Sequence, residues 1–125
     1  SSFAGQFDVN GSIAPTCSYA LLSKAVESAK EQGINMKVGN IFTSDTFYNR
    51  DKEYNKKWAE AGSLAVEMET AGLYLNAIRL RKNALAIYTV SDLPLKPDCP
   101  GCTAEERQNS FTDMVKIALE TAIKL

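Results

Sequence analysis

Leu64-Ala65-Val66-Glu67-Met68-Glu69-Thr70-Ala71-Gly72 is an apolar run that meets two carboxylates and at once turns into a helical pattern. It reads as a buried strand that ends in acids and feeds directly into a helix. In an open α/β sheet the carboxyl ends of parallel strands open into the crevice where ligands bind. Glu67 and Glu69 stand at that junction. A second run, Ala84-Leu85-Ala86-Ile87-Tyr88-Thr89-Val90, ends in Ser91 and Asp92, and its near-continuous hydrophobicity suits a strand covered on both faces. Two strand ends therefore bring acids to one edge, and the edge reads as a polar small-molecule site. The same acids also suit the first turn of a helix, and Ser91 with Asp92 also suits a turn, so spacing alone leaves both readings open.

The rest of the chain falls into place around this stretch. Pro15-Thr16-Cys17-Ser18 offers turn and cap chemistry, and Leu21, Leu22, Ala25, Val26 and Ala29 then recur at helical spacing until Gly33, which predicts a helix over 18–32. A short strand is predicted over 35–43, with Gly39 allowing a close neighbour. Phe47 and Tyr48 follow as exposed aromatics. Tyr54 and Trp58 stand four apart on a charged surface helix over 51–61 that Gly62 closes. A helix over 70–82 buries Ala71, Tyr74, Leu75 and Ile78, and Asn83 offers a left-handed end. Three prolines interrupt residues 93–102, after which Thr103 and Glu106 form a capping box for a long last helix. Phe111, Met114, Val115, Ala118 and Ala122 form its expected apolar stripe. This alternation predicts one α/β domain over 1–125, with a mainly parallel or mixed sheet flanked by helices.

Composition narrows the function. At 45% hydrophobic and 23% charged, the 125 residues suit one globular domain able to bury a core. A net charge of -1 leaves no basic footprint for nucleic acid, and no stretch reaches the roughly 18 apolar residues of a membrane span. Neither a signal peptide nor a block of like charge is visible, so the expected location is cytoplasmic. Three cysteines and no histidine argue against a disulfide framework and for no metal. Cys99-Pro100-Gly101-Cys102 is a C-x-x-C before a helix start, readable as a redox pair or as two unrelated thiols. The polar opening at Ser1, without a methionine, reads as the interior of a longer protein.

Val66-Glu67-Met68-Glu69-Thr70-Ala71-Gly72-Leu73-Tyr74, followed by Thr89-Val90-Ser91-Asp92 and by Ala104-Glu105-Glu106-Arg107-Gln108-Asn109-Ser110-Phe111, closely resembles the hexameric, bacterial-type purine nucleoside phosphorylases. Val38-Gly39-Asn40-Ile41-Phe42 with Phe47-Tyr48, and the tail Asp113 to Glu120, extend the resemblance through nearly the whole chain. It implies the nucleoside phosphorylase fold, of which this chain matches the C-terminal half. It also implies a reaction in which phosphate attacks the anomeric carbon of a purine nucleoside and releases the base and ribose 1-phosphate. Phosphate is then a co-substrate, and no cofactor is implied.

The resemblance also assigns roles. The transition state is oxocarbenium-like, with negative charge gathering on the departing purine, so an acid at the base and polar anchors on the ribose serve it. Asp92 matches the general acid at the purine N7, Ser91 supports the same end of the base, and Arg107 approaches that carboxyl. An aspartic acid is ionised at neutral pH unless its surroundings favour the proton, so burial of Asp92 at a strand end is expected. Glu69 matches the carboxylate that accepts from the ribose hydroxyls. Met68 lines the sugar, Glu67 lies beside it in the binding segment, Phe47 packs on the base and Val66 lines the wall.

The resemblance breaks at two places. The family's N-terminal half carries a glycine-rich phosphate loop and several arginines, whereas the four arginines here are Arg50, Arg79, Arg81 and Arg107. Leu93 stands where many relatives have histidine. The expected partners are therefore a purine nucleoside, phosphate, and the missing N-terminal half or full-length subunits, in a homo-oligomer that the resemblance makes a hexamer. The alternatives are a nucleosidase of the same superfamily, using water, and a non-catalytic truncated module that binds nucleosides or only assembles.

Overall fold

The computed structural model describes residues 11–95 and 103–125, without the side chains of 107–110. Helix α1 (Tyr19–Glu31) starts after Ser18, whose extended backbone breaks the helix while its side chain makes no capping bond. It ends in a Schellman turn: the Gly33 amide donates to the Lys30 carbonyl at 3.1 Å and the Ile34 amide to the Ala29 carbonyl at 2.9 Å. Gly33 takes a φ of 66° there, as the sequence predicts of a glycine stop.

Strand β1 (Asn40–Thr43) and strand β2 (Ser63–Glu67) pair in parallel. Between them lies helix α2 (Tyr54–Glu60), the crossover that parallel neighbours need. The register sets Phe42 opposite Val66 and Thr43 opposite Glu67. Phe42 stacks on Trp58 at 4.0 Å between ring centroids and meets Tyr54 edge-on at 5.5 Å, so the two aromatics four apart on α2 are what bind it to the sheet. Gly39 admits a close neighbour, because a Cβ there would stand 2.5 Å from Cδ1 of Leu64. The ladder claims residues 40–43 of the strand predicted over 35–43.

Helix α3 (Thr70–Arg79) leaves β2 after two residues. It too ends in a Schellman turn, with the Arg81 amide on the Ile78 carbonyl and the Lys82 amide on the Ala77 carbonyl. Arg81, at a φ of 53°, takes the left-handed position that the sequence suggests for Asn83. The last helix, α4 (Ala104–Ile123), opens with the predicted capping box: Thr103 accepts from the Glu106 amide and Glu106 reaches back to the Thr103 amide.

The apolar run over 84–90 enters no strand ladder among the described residues. Its backbone finds partners elsewhere: the Ala84 carbonyl accepts from the Ser18 amide at 2.8 Å, and the Ala86 amide donates to the Tyr74 hydroxyl at 3.0 Å. Leu85 and Ile87 still pack inward, against Ala25, Ala29 and Ile117 between α1 and α4. Helix α4 turns a stripe different from the expected one. Ile117 and Thr121 are buried, whereas Phe111 and Val115 are exposed. Lys124 pairs with Glu31 at 2.5 Å across the ends of α1 and α4. The core is smaller than the composition suggests, since Leu80 is 66% and Ile123 78% exposed.

Candidate active site

The site begins with the register. Because Thr43 lies opposite Glu67 on the parallel ladder, the two side chains share a face, and the Thr43 hydroxyl donates to Oε1 of Glu67. Oε2 of the same carboxylate accepts from the Glu69 amide, the Thr70 amide and the Thr70 hydroxyl, each at 2.7 Å. Strand β2 thus closes on the first amides of α3, which have no partner inside the helix. Burial opposes the ionisation of Glu67, but the bonds from Thr43, Thr70 and the two amides outweigh it and hold its pKa below the usual carboxylate value.

The network continues outward on both sides. Oγ1 of Thr43 accepts from the Ala71 amide at 3.1 Å. Oγ1 of Thr70 lies 2.5 Å from the Tyr88 hydroxyl. A threonine hydroxyl has one proton, and Thr70 gives its proton to a carboxylate that can only accept, so Tyr88 donates to Thr70. Partial burial raises the Tyr88 phenol above its ordinary pKa, and a phenol carries its proton at neutral pH even at the ordinary value. The direction is therefore fixed from Tyr88 through Thr70 to Glu67, and from Ala71 through Thr43 to the same carboxylate. Residues at the end of β1, the β2–α3 corner and the segment leading to Ser91 and Asp92 are joined by one set of bonds.

Glu67 turns its carboxylate to the chain's own donors. Glu69, two residues on, is exposed, and among the described residues its amide rather than its carboxylate enters the network. Met68 and Val66 are 37% and 42% exposed on the same corner. Ser44, buried after β1, donates its hydroxyl to the Thr46 carbonyl at 2.9 Å and accepts from the Thr46 amide. That turn sends the chain outward to Phe47 and Tyr48, which meet edge-on at 4.9 Å and are 75% and 89% exposed. Ser91 donates its hydroxyl to Oδ2 of Asp92 at 2.7 Å. Asp92 is exposed, so the burial expected to favour its proton is not provided here. Arg107 is the fourth residue of α4; its side chain, and Cys99 and Cys102, fall outside the described residues.

Thr43, Thr70 and Tyr88 are the residues that sequence reasoning missed. The Thr43 bond depends on the strand register and the Tyr88 bond on contact between segments distant in sequence, whereas Thr70 stands only three residues after Glu67 at the start of α3, a local donor the sequence displays.

Among the described residues no helix is long and apolar enough to cross a membrane. The family model of the phosphorylase superfamily matches residues 4–125. The chain is 56% identical over 112 residues to the DeoD-type purine nucleoside phosphorylase of Exiguobacterium sibiricum, covering 90% of this chain and 47% of that protein. It is 57% identical over 109 residues to the protein of that name from Thermoanaerobacter sp. (strain X514), covering 87% and 46%. With the protein of that name from Clostridium perfringens (strain SM101) it shares 49% over 113 residues, covering 90% and 47%. The chain spans about half the length of the curated relatives it matches. With the family model matched across nearly all of its residues, the chain belongs to the phosphorylase superfamily.

Proposed function

We propose that this chain forms the base- and ribose-binding part of a purine nucleoside phosphorylase, completed by a further portion that holds phosphate. The observation that carries this reading is the identity of 49–57% with proteins named DeoD-type purine nucleoside phosphorylase, over nine-tenths of the chain. In this reaction phosphate attacks the anomeric carbon, the glycosidic bond breaks, and its electrons pass to the purine. Asp92 donates a proton or hydrogen bond at N7, steadied by Ser91, and Arg107 approaches as α4 moves. Glu69 accepts from the ribose hydroxyls, Met68 lines the sugar with Glu67 beside it, Val66 lines the pocket wall, and Phe47 packs on the base. The exposure of Glu69, Met68, Phe47 and Asp92 agrees with roles that require contact with a ligand. Phosphate is the co-substrate, the purine nucleoside the substrate, and the assembled form a homo-oligomer of the hexameric kind.

The share of 46–47% of each relative's length favours one second reading, a module that binds nucleosides or assembles without turnover. The intact mass of the protein as its cells produce it, followed by cleavage of inosine and adenosine with and without phosphate, separates them. Phosphate-dependent release of base supports the phosphorylase. Release without phosphate supports a nucleosidase, and binding without release supports the module.

A further inference from the structure

We propose that Glu67 is a positioning residue: its carboxylate gathers the donors of Thr43, Glu69 and Thr70 into a clamp that holds the Met68–Glu69 corner, so that Glu69 meets the ribose. The proposal rests on the phosphorylase reading for the identity of the ligand and on the structure for the clamp. Glu67 stands within the segment that resembles the binding motif, yet its two oxygens accept four bonds from the chain itself. A carboxylate so occupied has little capacity left for a ligand. What it controls is the backbone next to it. The Glu69 amide is one of the four donors, so the Cα from which the Glu69 side chain departs is fixed within one residue of the clamp. An orienting side chain must be held to within about half an ångström to serve a reacting sugar, and Met68 and Glu69 are exposed at this corner between strand and helix.

The clamp also reaches the other acid. Tyr88 donates to Thr70, and Tyr88 lies three residues before Ser91 in the segment that ends in Asp92. The ribose side and the base side of the site are thereby tied through one threonine.

Glu67→Gln keeps the shape but leaves one accepting oxygen where the carboxylate has two, so it cannot serve both the Thr43 side and the Glu69–Thr70 side, and it removes the charge that strengthens the remaining bonds. In the protein as its cells produce it, the expected loss in kcat/KM for inosine is about tenfold to a hundredfold, the range for a charged hydrogen-bond acceptor. Glu69→Ala lowers the same ratio. If Glu67 acts through Glu69, the double variant Glu67→Gln with Glu69→Ala is within about twofold of Glu69→Ala alone. Losses that multiply overturn the proposal, since a general effect on folding acts independently of the ribose-binding carboxylate. Amide hydrogen exchange gives a readout that needs no turnover: at Glu69 and Thr70 it accelerates at least about tenfold in Glu67→Gln. Unchanged protection at both amides overturns the clamp. If Glu67→Gln does not fold, Thr43→Val, which deletes the bond to Oε1, shows the same non-additivity with Glu69→Ala at a smaller loss; additivity there overturns the proposal equally. A wild-type protein that cleaves no nucleoside refutes the phosphorylase reading, and the exchange experiment then decides the clamp by itself.

Discussion

At the scale of single residues, two neighbouring glutamates in one motif have opposite surroundings. Glu67 is half-buried and fully engaged, while Glu69 is exposed. The difference has a consequence for acid stability. A carboxylate whose folded pKa lies below its unfolded value of about 4.3 contributes stability above that pH and loses it as pH falls through the folded pKa. Glu67 is such a group. The stability gap between wild type and Glu67→Gln is therefore expected to be constant from pH 7 to about pH 5 and to shrink below about pH 4.3, as the unfolded and then the folded carboxylate takes up its proton. Urea titrations at stepped pH measure it, and a gap that widens on acidification contradicts the assignment. Asp92 calls for a different test. It is exposed and bonded to Ser91, so Asp92→Asn should leave folding unchanged and slow nucleoside cleavage by about a hundred- to ten-thousandfold, the range for general acid catalysis. Steady-state kinetics beside a thermal melt checks both halves of the expectation.

At the scale of elements, two helix C-terminal ends use the same turn with different residues. The α1 and α3 ends share a Schellman geometry, but α1 places Gly33 in the left-handed position and α3 places Arg81 there. A side chain in that conformation costs roughly 1 kcal/mol relative to glycine. Arg81→Gly is expected to stabilise the chain by about 0.5–1 kcal/mol, partly offset by the greater freedom of glycine in the unfolded state. A midpoint in denaturant lower than that of wild type would show that the Arg81 side chain contributes more than its backbone costs.

At the scale of the whole molecule, the apolar surface is unbalanced. The buried apolar side chains among the described residues are Ala25, Ala29, Leu75 and Ile117, while Leu80, Leu119 and Leu125 are each more than 60% exposed. A chain of this size normally buries about two-thirds of its surface around a substantial core, and contiguous apolar surface marks association. Sedimentation of the 125-residue chain alone is expected to show self-association at micromolar concentration, together with binding of a hydrophobic dye. A monomer that melts cooperatively and binds no dye would contradict this.

What the amino-acid sequence determined by itself is local. Gly33 stops α1, Thr103 and Glu106 cap α4, Tyr54 and Trp58 share a face of α2, and the acids follow the apolar run of β2. Each depends on neighbours within four residues, where backbone sterics and helical periodicity act. The parallel pairing of the α/β fold was legible for the same reason, from the alternation of strand and helix patterns. Tertiary structure decided the rest. It set Thr43 opposite Glu67, placed Tyr88 against Thr70, chose Ile117 and Thr121 over Phe111 and Val115 as the buried face of α4, and kept residues 84–90 out of the ladder. Each of these joins, or holds apart, residues distant in sequence. Its energy depends on which partner the whole chain brings within reach, and no window of neighbouring residues contains that information.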